Sequence, residues 1–192
     1  MKFTLKDYQT EAVADVLDNM RKARVFWRDL DMKTAFSLAA TTGSGKTVMA
    51  AAVFEALLFG NDELEFEPDP GAVVIWFSDD PSLNTQSKWR LQEASDKLTI
   101  SDLVTVENTF NRGTLEAGKI YFLNTQKLSK TSLLTRGHDS DDDSLETANG
   151  QKIMPDMRAF TIWDTIRNTI EDPALSLYLV LDEAHRGMGT QN

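Results

Sequence analysis

Residues 34–60, TAFSLAATTGSGKTVMAAAVFEALLFG, decide the fold of this chain. The opening run, TAFSLAA, has the composition of a short strand, and the TTGSGKT that follows it is a glycine loop. Val48–Phe59 is apolar on nearly every side of a helix, and Gly60 is suited to end that helix. The order strand, glycine loop, helix is therefore predicted. It places the loop at the carboxyl end of a strand, where parallel sheets bind ligands.

The loop ATTGSGKT, residues 40–47, has the spacing of glycine, lysine and hydroxyl groups that binds phosphate. Gly43 and Gly45 let backbone N–H groups converge on an anion without Cβ clashes, and the positive end of the following helix favours the same charge. Lys46 supplies a positive charge to the β- and γ-phosphates, and Thr47 offers a hydroxyl to Mg²⁺. The usual pattern begins with glycine, where this chain has Ala40. A plain glycine-rich turn is the alternative interpretation.

Apolar runs alternate with helical patterns along the rest of the chain, which predicts an α/β fold with a mostly parallel sheet and helices on both faces. Helices are expected over Leu5–Ala23, which leads into the basic, aromatic stretch RKARVFWRDL, from Pro81 to about Leu98, and from about Met157 to Ile170. The last helix has Phe160, Trp163, Ile166 and Ile170 on one side. Further buried strands are expected at AVVIWF (72–77), LVTV (103–106), IYFL (120–123) and LYLVL (177–181).

Two acidic residues follow the last strand directly, in LYLVLDEAH (177–185). Because Mg²⁺ prefers oxygen ligands, Asp182 is the candidate metal ligand. Glu183 is the candidate base that orients and deprotonates a water attacking the γ-phosphate. An ordinary solvated strand end is the alternative. His185 is not expected to bind metal, because His138 lies in a polar segment and the chain has no cysteine.

The net charge of −10 does not exclude a nucleic-acid partner, because the acidic residues are clustered. Residues 62–69 and 139–146 hold ten of the thirty acidic residues and no basic one, so the remaining chain is formally neutral. Exposed charges farther apart than about 8 Å are largely screened at physiological salt. Both runs are interpreted as solvated loops, with an acidic regulatory or partner-mimicking role as the alternative.

Other function classes are excluded by composition. The absence of cysteine excludes disulfide scaffolds, thiolate metal sites and cysteine nucleophiles. The sequence has no apolar run near the length of a membrane span, and MKFTLKDYQTEAV has charges where an export signal needs an apolar core. A cytoplasmic protein with no membrane partner is expected.

ATTGSGKT followed by DEAH resembles motifs I and II of superfamily 2 helicases and translocases, and with DEAHRG it resembles the motor subunits of type III and type I restriction enzymes. The resemblance runs from KDYQTEAV (6–13) to the end of the chain and implies a RecA-like domain that binds and hydrolyses ATP with Mg²⁺. In that family an aromatic–Gln pair reads adenine, and Tyr8 and Gln9 match it. Motif I carries over to Thr42, Gly43, Ser44, Gly45, Lys46 (binding and catalytic) and Thr47, and motif II to Asp182, Glu183, Ala184 and His185, the last in a coupling role.

The nucleic-acid motifs of that family match less well. FSDDPSLNTQ (77–86) stands where motif Ia is expected but carries Asp79 and Asp80. FLNTQKL (122–128) resembles the next backbone-contacting motif, which assigns nucleic-acid contacts to Asn124, Thr125, Gln126 and Lys127. Plain helix starts and caps are the alternative for both segments.

The resemblance implies that residues 1–192 are the amino-terminal RecA-like domain of a longer motor. The family's Ser/Thr-Ala-Thr motif and its second RecA-like domain, which supplies arginine fingers, are absent from this sequence. The implied partners of the full motor are duplex DNA and a methylation or specificity subunit, and this chain alone is expected to hydrolyse ATP only at a trace rate. A phosphate-loop NTPase or kinase without a nucleic-acid partner, and a module that binds ATP without turnover, are the other classes considered.

Overall fold

A computed structural model of the chain describes residues 1–129, 132–136 and 158–182. The helices are α1 (Asp7–Leu30), α2 (Lys46–Phe59), α3 (Pro81–Ala94) and α4 (Ile162–Glu171), and the strands are β1 (Ala72–Ser78), β2 (Leu103–Thr105), β3 (Lys119–Asn124) and β4 (Ser176–Leu181). The strands form one parallel sheet in the order β2-β3-β1-β4, which confirms the predicted α/β class. The described residues divide into two compact units, residues 1–70 with 87–100, and 71–86 with those after 100.

The centre of the sheet is buried on both faces. Val73 and Val74 of β1 are both fully buried, as are Ile120 and Tyr121 of β3. Because successive side chains of a strand point to opposite faces, burial of neighbouring residues requires cover on both sides. The continuous apolar runs AVVIWF and IYFL form strands, as predicted, and the structure puts these strands at the centre of the sheet.

One face of the sheet carries the core of the second unit. Val73 and Ile75 of β1 and Tyr121 and Leu123 of β3 pack there, together with Val106, Leu115, Leu134 and Ile162. Helix α4 is held on this core partly by polar groups. Thr169 Oγ1 accepts a hydrogen bond from Leu115 N at 2.9 Å, and Asn168 Nδ2 donates to Gly113 O at 2.8 Å.

The apolar side expected for α4 is largely exposed. Phe160, Trp163 and Ile170 are exposed and Ile166 is half-buried, whereas Thr165 and Thr169 are fully buried. Helix α4 also begins later than about Met157, at Ile162, because Thr161 and Asp164 form a reciprocal capping box. Helix α4 therefore faces the core with Ile162, Thr165 and Thr169, and of the predicted apolar side only Ile166 packs against the described core.

In the first unit α1 packs against α2. Val13, Leu17 and Met20 are the buried apolar residues of α1, and α2 is buried almost continuously from Met49 to Leu57, as its apolar composition predicted. Helix α1 is longer than expected and includes the basic, aromatic stretch, ending where Asp31 adopts a left-handed φ of 52°. No helix in the described part of the chain is both long and apolar enough to cross a membrane.

The acidic run 62–69 is not only solvated, because part of it contacts helix α1. Two arginines of α1 hold it. Arg21 donates to Leu64 O at 2.5 Å and to Glu65 O at 3.0 Å, and the Arg24 guanidinium lies 4.6 Å from the centroid of the buried Phe66 ring. The side chains of Asp62, Glu63, Glu65 and Glu67 are exposed. The run 139–146 lies outside the described residues.

The predicted strand TAFSLAA is wrong. Residues 31–40 have no regular secondary structure, and the side chains of Phe36 and Leu38 are exposed. A strand is stabilised by hydrogen bonds to a neighbouring strand. No described residues of the first unit form such a strand. The composition of the segment is therefore insufficient to fix it as a strand.

Two further element predictions need correction. Helix α3 ends at Ala94 rather than near Leu98, because Ser95 Oγ accepts hydrogen bonds from Lys97 N and Leu98 N and also donates to the buried Glu55 carboxylate. Strand β4 was expected to be buried, but Leu179 and Leu181 are exposed. Leu179 and Leu181 lie two positions apart and so share one face of the sheet, which the described residues leave uncovered at this strand.

Candidate nucleotide-binding site

The glycine loop has the backbone conformation that converging N–H groups require. Gly43 and Gly45 have φ values of 82° and 85°, which residues with a Cβ rarely adopt. Ser44 N donates to Thr41 O at 3.2 Å within the turn, and α2 begins immediately after it, at Lys46. No side chain in the described ranges caps α2, so its first N–H groups and its positive end are available to an anion.

Tyr8 and Gln9 hold this loop through one carbonyl. The Tyr8 hydroxyl donates to Ser44 O at 2.9 Å, and Gln9 Nε2 donates to the same oxygen at 2.8 Å. Gln9 is buried, and its Oε1 accepts a hydrogen bond from Lys6 N at 3.0 Å. Tyr8 and Gln9, for which the family resemblance implies adenine recognition, therefore contact the glycine loop. A Cβ at Gly45 would lie 2.5 Å from Gln9 Nε2, so a side chain at this position would require the Gln9 amide to move.

The polar side chains of the loop differ in their surroundings. Lys46 is exposed and its Nζ donates to Ala40 O at 2.9 Å. The buried Oγ of Ser44 has no hydrogen-bond partner among the described residues. A buried hydroxyl without a partner is costly unless a bound group satisfies it. Thr47, the candidate metal ligand on α2, is half-buried, and Thr42 and Gly43 are exposed.

Asp182 lies at the carboxyl end of the sheet, in the second unit. Leu181 pairs with Phe77 in the parallel register, and Asp182 N donates to Phe77 O at 2.9 Å. On the other side of β1, Ser78 pairs with Asn124. Asp182, Ser78 and Asn124 therefore end three neighbouring strands at the same level. Asp182 is half-buried, as a carboxylate that serves a metal and its waters would be.

The turn between β1 and α3 is built from capping contacts. Asp80 Oδ1 accepts a hydrogen bond from Ser82 N at 2.8 Å. The buried Ser78 hydroxyl lies 3.0 Å from Asp80 O and 2.8 Å from Asn84 Oδ1. Asp80 therefore starts α3, which is the structural role that the sequence left open for this segment. The contribution of Ser78 and Asn84 was missed, although Ser and Asp before a proline are a typical helix start.

Three of the four candidate nucleic-acid residues make local contacts. Asn124 Oδ1 accepts from Lys127 N at 3.2 Å and caps the following turn. Thr125 Oγ1 donates to Asp79 O at 3.2 Å. Lys127 Nζ donates to Asn108 Oδ1 at 2.7 Å. The side chain of Gln126 is exposed and makes no hydrogen bond within the described residues.

A buried arginine that the sequence did not single out supports this region. Arg158 donates to Asn108 O at 2.7 Å and to Phe110 O at 2.9 Å, and it is 6% exposed. It holds the backbone of the residue whose side chain binds Lys127. The sequence around Arg158 has no pattern that predicts these contacts, because their partners lie about 50 residues earlier in the chain.

The second motif is described only at its first residue, Asp182. Glu183, Ala184 and His185 lie outside the described residues. Within the described residues, no group of three or more acidic or histidine side chains could hold a metal ion. The structure thus brings Tyr8 and Gln9 to the glycine loop in one unit, and Asp182 to the strand ends in the other.

Residues 2–192 match the family model described as type III restriction enzyme, res subunit. No curated protein and no solved structure matches the chain.

Proposed function

Since this chain belongs to the family of type III restriction enzyme res subunits, we propose that it binds ATP and Mg²⁺ as the first motor domain of a DNA helicase or translocase. The family is that of helicase-like motors that hydrolyse ATP and interact with DNA. The parallel sheet flanked by helices is consistent with a RecA-like α/β domain.

One observation carries the proposal, the conformation of the loop at residues 40–47. Two left-handed glycines lead into a helix whose start is not capped by any side chain that the structure describes. A Cβ at Gly43 would meet no atom of the described residues within 4 Å, so they leave space beside it. The buried Ser44 hydroxyl has no partner in the described part of the chain. These groups fit a bound phosphate chain.

The nucleotide and metal roles follow from the chemistry of each side chain. Lys46 would exchange its carbonyl contact for the β- and γ-phosphates, and Thr47 would supply a hydroxyl ligand to Mg²⁺. The family resemblance gives Asp182 the role of a carboxylate ligand to Mg²⁺. When bound, Mg²⁺ neutralises charge that develops on the phosphates. Thr42 and Gly43 would lie along the phosphates through their backbone N–H groups.

Gln9 retains the capacity to read adenine. A glutamine amide has two N–H donors and an oxygen that can accept two hydrogen bonds. Ser44 O uses one donor and Lys6 N uses one acceptor position. One donor and one acceptor position are left, and adenine presents the matching pair, N7 and the N6 amino group. The exposed ring of Tyr8 stands beside it in sequence.

Hydrolysis and DNA contact are proposed from the family resemblance. Glu183 would orient and deprotonate the attacking water, and His185 would couple turnover to movement. A second RecA-like domain would supply the arginine finger, which is worth about a thousand- to hundred-thousandfold in rate. Asn124–Lys127 would face duplex DNA, with exposed Gln126 as the side chain best placed for it. A methylation or specificity subunit as a partner and a cytoplasmic location complete the proposal.

The test is ATP affinity, measured by calorimetry with Mg²⁺ for the wild type and for Lys46→Ala. Loss of a charge-assisted phosphate contact is expected to weaken binding about ten- to hundredfold. Lys22→Ala is the matched control, because Lys22 is an exposed lysine that pairs with Asp18 on α1. An unchanged affinity in Lys46→Ala would remove the loop from the site.

DNA dependence is tested separately by steady-state phosphate release. The 192-residue chain is expected to release phosphate only at a trace rate, with or without duplex DNA. Rapid turnover that ignores DNA would contradict the motor assignment and favour an NTPase without a nucleic-acid partner.

A further inference from the structure

The four tryptophans of the chain differ in exposure. Trp76 in β1 is buried, whereas Trp27, Trp89 and Trp163 are exposed. Trp89, on α3, is 67% exposed. An indole ring left in water on a stable helix loses the burial that ordinarily favours it, and aromatic rings are enriched where proteins bind partners.

The cations beside Trp89 distinguish it from the other two exposed tryptophans. Arg28, next to Trp27, pairs with Asp29 at 3.0 Å, and Arg167, one turn after Trp163, lies 3.7 Å from Asp164. The cations beside Trp27 and Trp163 are therefore each paired with a carboxylate on the same helix.

Lys88 and Arg90 flank Trp89 and make no ion pair or hydrogen bond within the described residues. At about 100° per residue they lie on the two sides of the ring along the helix surface. Glu93, one turn further on, is the acidic residue on the same side. These two cations and one acid give this part of α3 a net positive charge in a chain whose net charge is −10.

We propose that Lys88, Trp89 and Arg90 form a stacking surface for single-stranded DNA. An unpaired base can stack on the face of an exposed indole, and the flanking cations can bind the neighbouring phosphates. Bases within a duplex are already stacked on each other, so the ring has no base to accept there. The proposal rests on the proposed function, because a DNA motor is what gives this surface an unpaired strand to hold.

The experiment measures binding of a labelled oligodeoxythymidylate and of a duplex by fluorescence anisotropy, using the full chain. Trp89→Ala is expected to weaken single-strand binding about 5- to 150-fold, the range for one base stacked on an aromatic side chain. Trp89→Phe keeps a ring and is expected to retain most of the affinity, whereas Trp89→Leu keeps only apolar bulk and is not. Arg90→Gln is expected to reduce the slope of log affinity against log salt concentration by about the amount that one phosphate contact contributes.

Trp163→Ala is the matched control and is expected to bind like the wild type. Equal affinity of Trp89→Ala and the wild type would overturn the proposal. The proposal would also be overturned if Trp89→Leu bound the single strand with wild-type affinity, or if Trp163→Ala lost as much affinity as Trp89→Ala. Absence of single-strand binding by the wild type would overturn it as well.

ATP affinity of the same variants separates this proposal from the proposed function. Normal, Lys46-dependent ATP binding together with unchanged DNA binding in Trp89→Ala would refute the stacking surface alone. Absent ATP binding with Trp89-dependent DNA binding would refute the proposed nucleotide site and leave the stacking surface standing.

Discussion

The two loop glycines share a left-handed conformation but differ in what a side chain would meet. Gly43 has a φ of 82° and open space where a methyl group would lie, whereas a Cβ on Gly45 would lie 2.5 Å from Gln9 Nε2. Gly43→Ala therefore perturbs only the backbone conformation. Gly45→Ala perturbs the backbone and also displaces Gln9.

The magnitudes separate the two variants. A left-handed conformation costs an L-residue about 1–2 kcal/mol, and both variants incur that cost. Displacing Gln9 also removes its hydrogen bonds to Ser44 O and from Lys6 N, each worth about 0.5–1.5 kcal/mol. Gly45→Ala is expected to lower the free energy of unfolding by about 2–5 kcal/mol, and Gly43→Ala by about 1–2 kcal/mol.

Urea denaturation measures both losses, and a double-mutant cycle with Gln9→Ala isolates the contact. In the Gln9→Ala background, Gly45→Ala is expected to cost no more than Gly43→Ala, because the clashing atom is gone. Equal losses for the two alanine variants in the native background would refute the reasoning. So would a loss for Gly45→Ala that is independent of Gln9.

Two further predictions concern the second unit. The Thr161 hydroxyl and backbone N–H donate to Asp164 and hold the pKa of that carboxyl below its ordinary value. Because the pKa of Asp164 is lower in the folded protein than in the unfolded one, its ionised carboxylate stabilises the fold fully above the unfolded pKa, and this stabilisation is lost as pH falls through the folded pKa. In Asp164→Asn the free energy of unfolding is therefore expected to fall less steeply with decreasing pH. Urea denaturation at a series of pH values from neutral downwards measures this difference. Arg158→Met removes the charged donor to Asn108 O and Phe110 O and is expected to lower the unfolding free energy by about 1.5–3 kcal/mol, against little change for exposed Arg167→Met.

The sequence predicted those strands of the sheet that are buried on both faces, because burial makes their residues continuously apolar. AVVIWF and IYFL are apolar without interruption, and they form the two central strands. TAFSLAA failed because a strand also needs a neighbouring strand, which composition does not reveal. The ends of α3 and α4 were misjudged for a related reason. Ser95 and Thr161 end or start a helix through hydroxyl contacts that periodicity does not detect.

The candidate site was predictable in its loop and less so in its supports. Glycine spacing indicates backbone freedom, and both glycines have the positive φ that this freedom permits. The contacts of Tyr8 and Gln9 with Ser44 O join residues 36 and 35 positions apart, which no local pattern specifies. A family resemblance assigned this pair to adenine but gave no reason to expect a contact with the loop.

The composition gives the number of charged residues in this chain, but the local contacts of each cation determine whether it is available to bind a nucleic acid. Arg21 and Arg24 hold the acidic run 62–69, and Lys127 donates to Asn108, so these cations are already engaged. Removing such a cation would release its partner and disturb the fold as well as any DNA contact. Lys88 and Arg90 have no such partner in the described part of the chain, so their charge is available without that cost. A positive surface can thus exist on a chain of net charge −10, provided that its cations are the ones left unpaired.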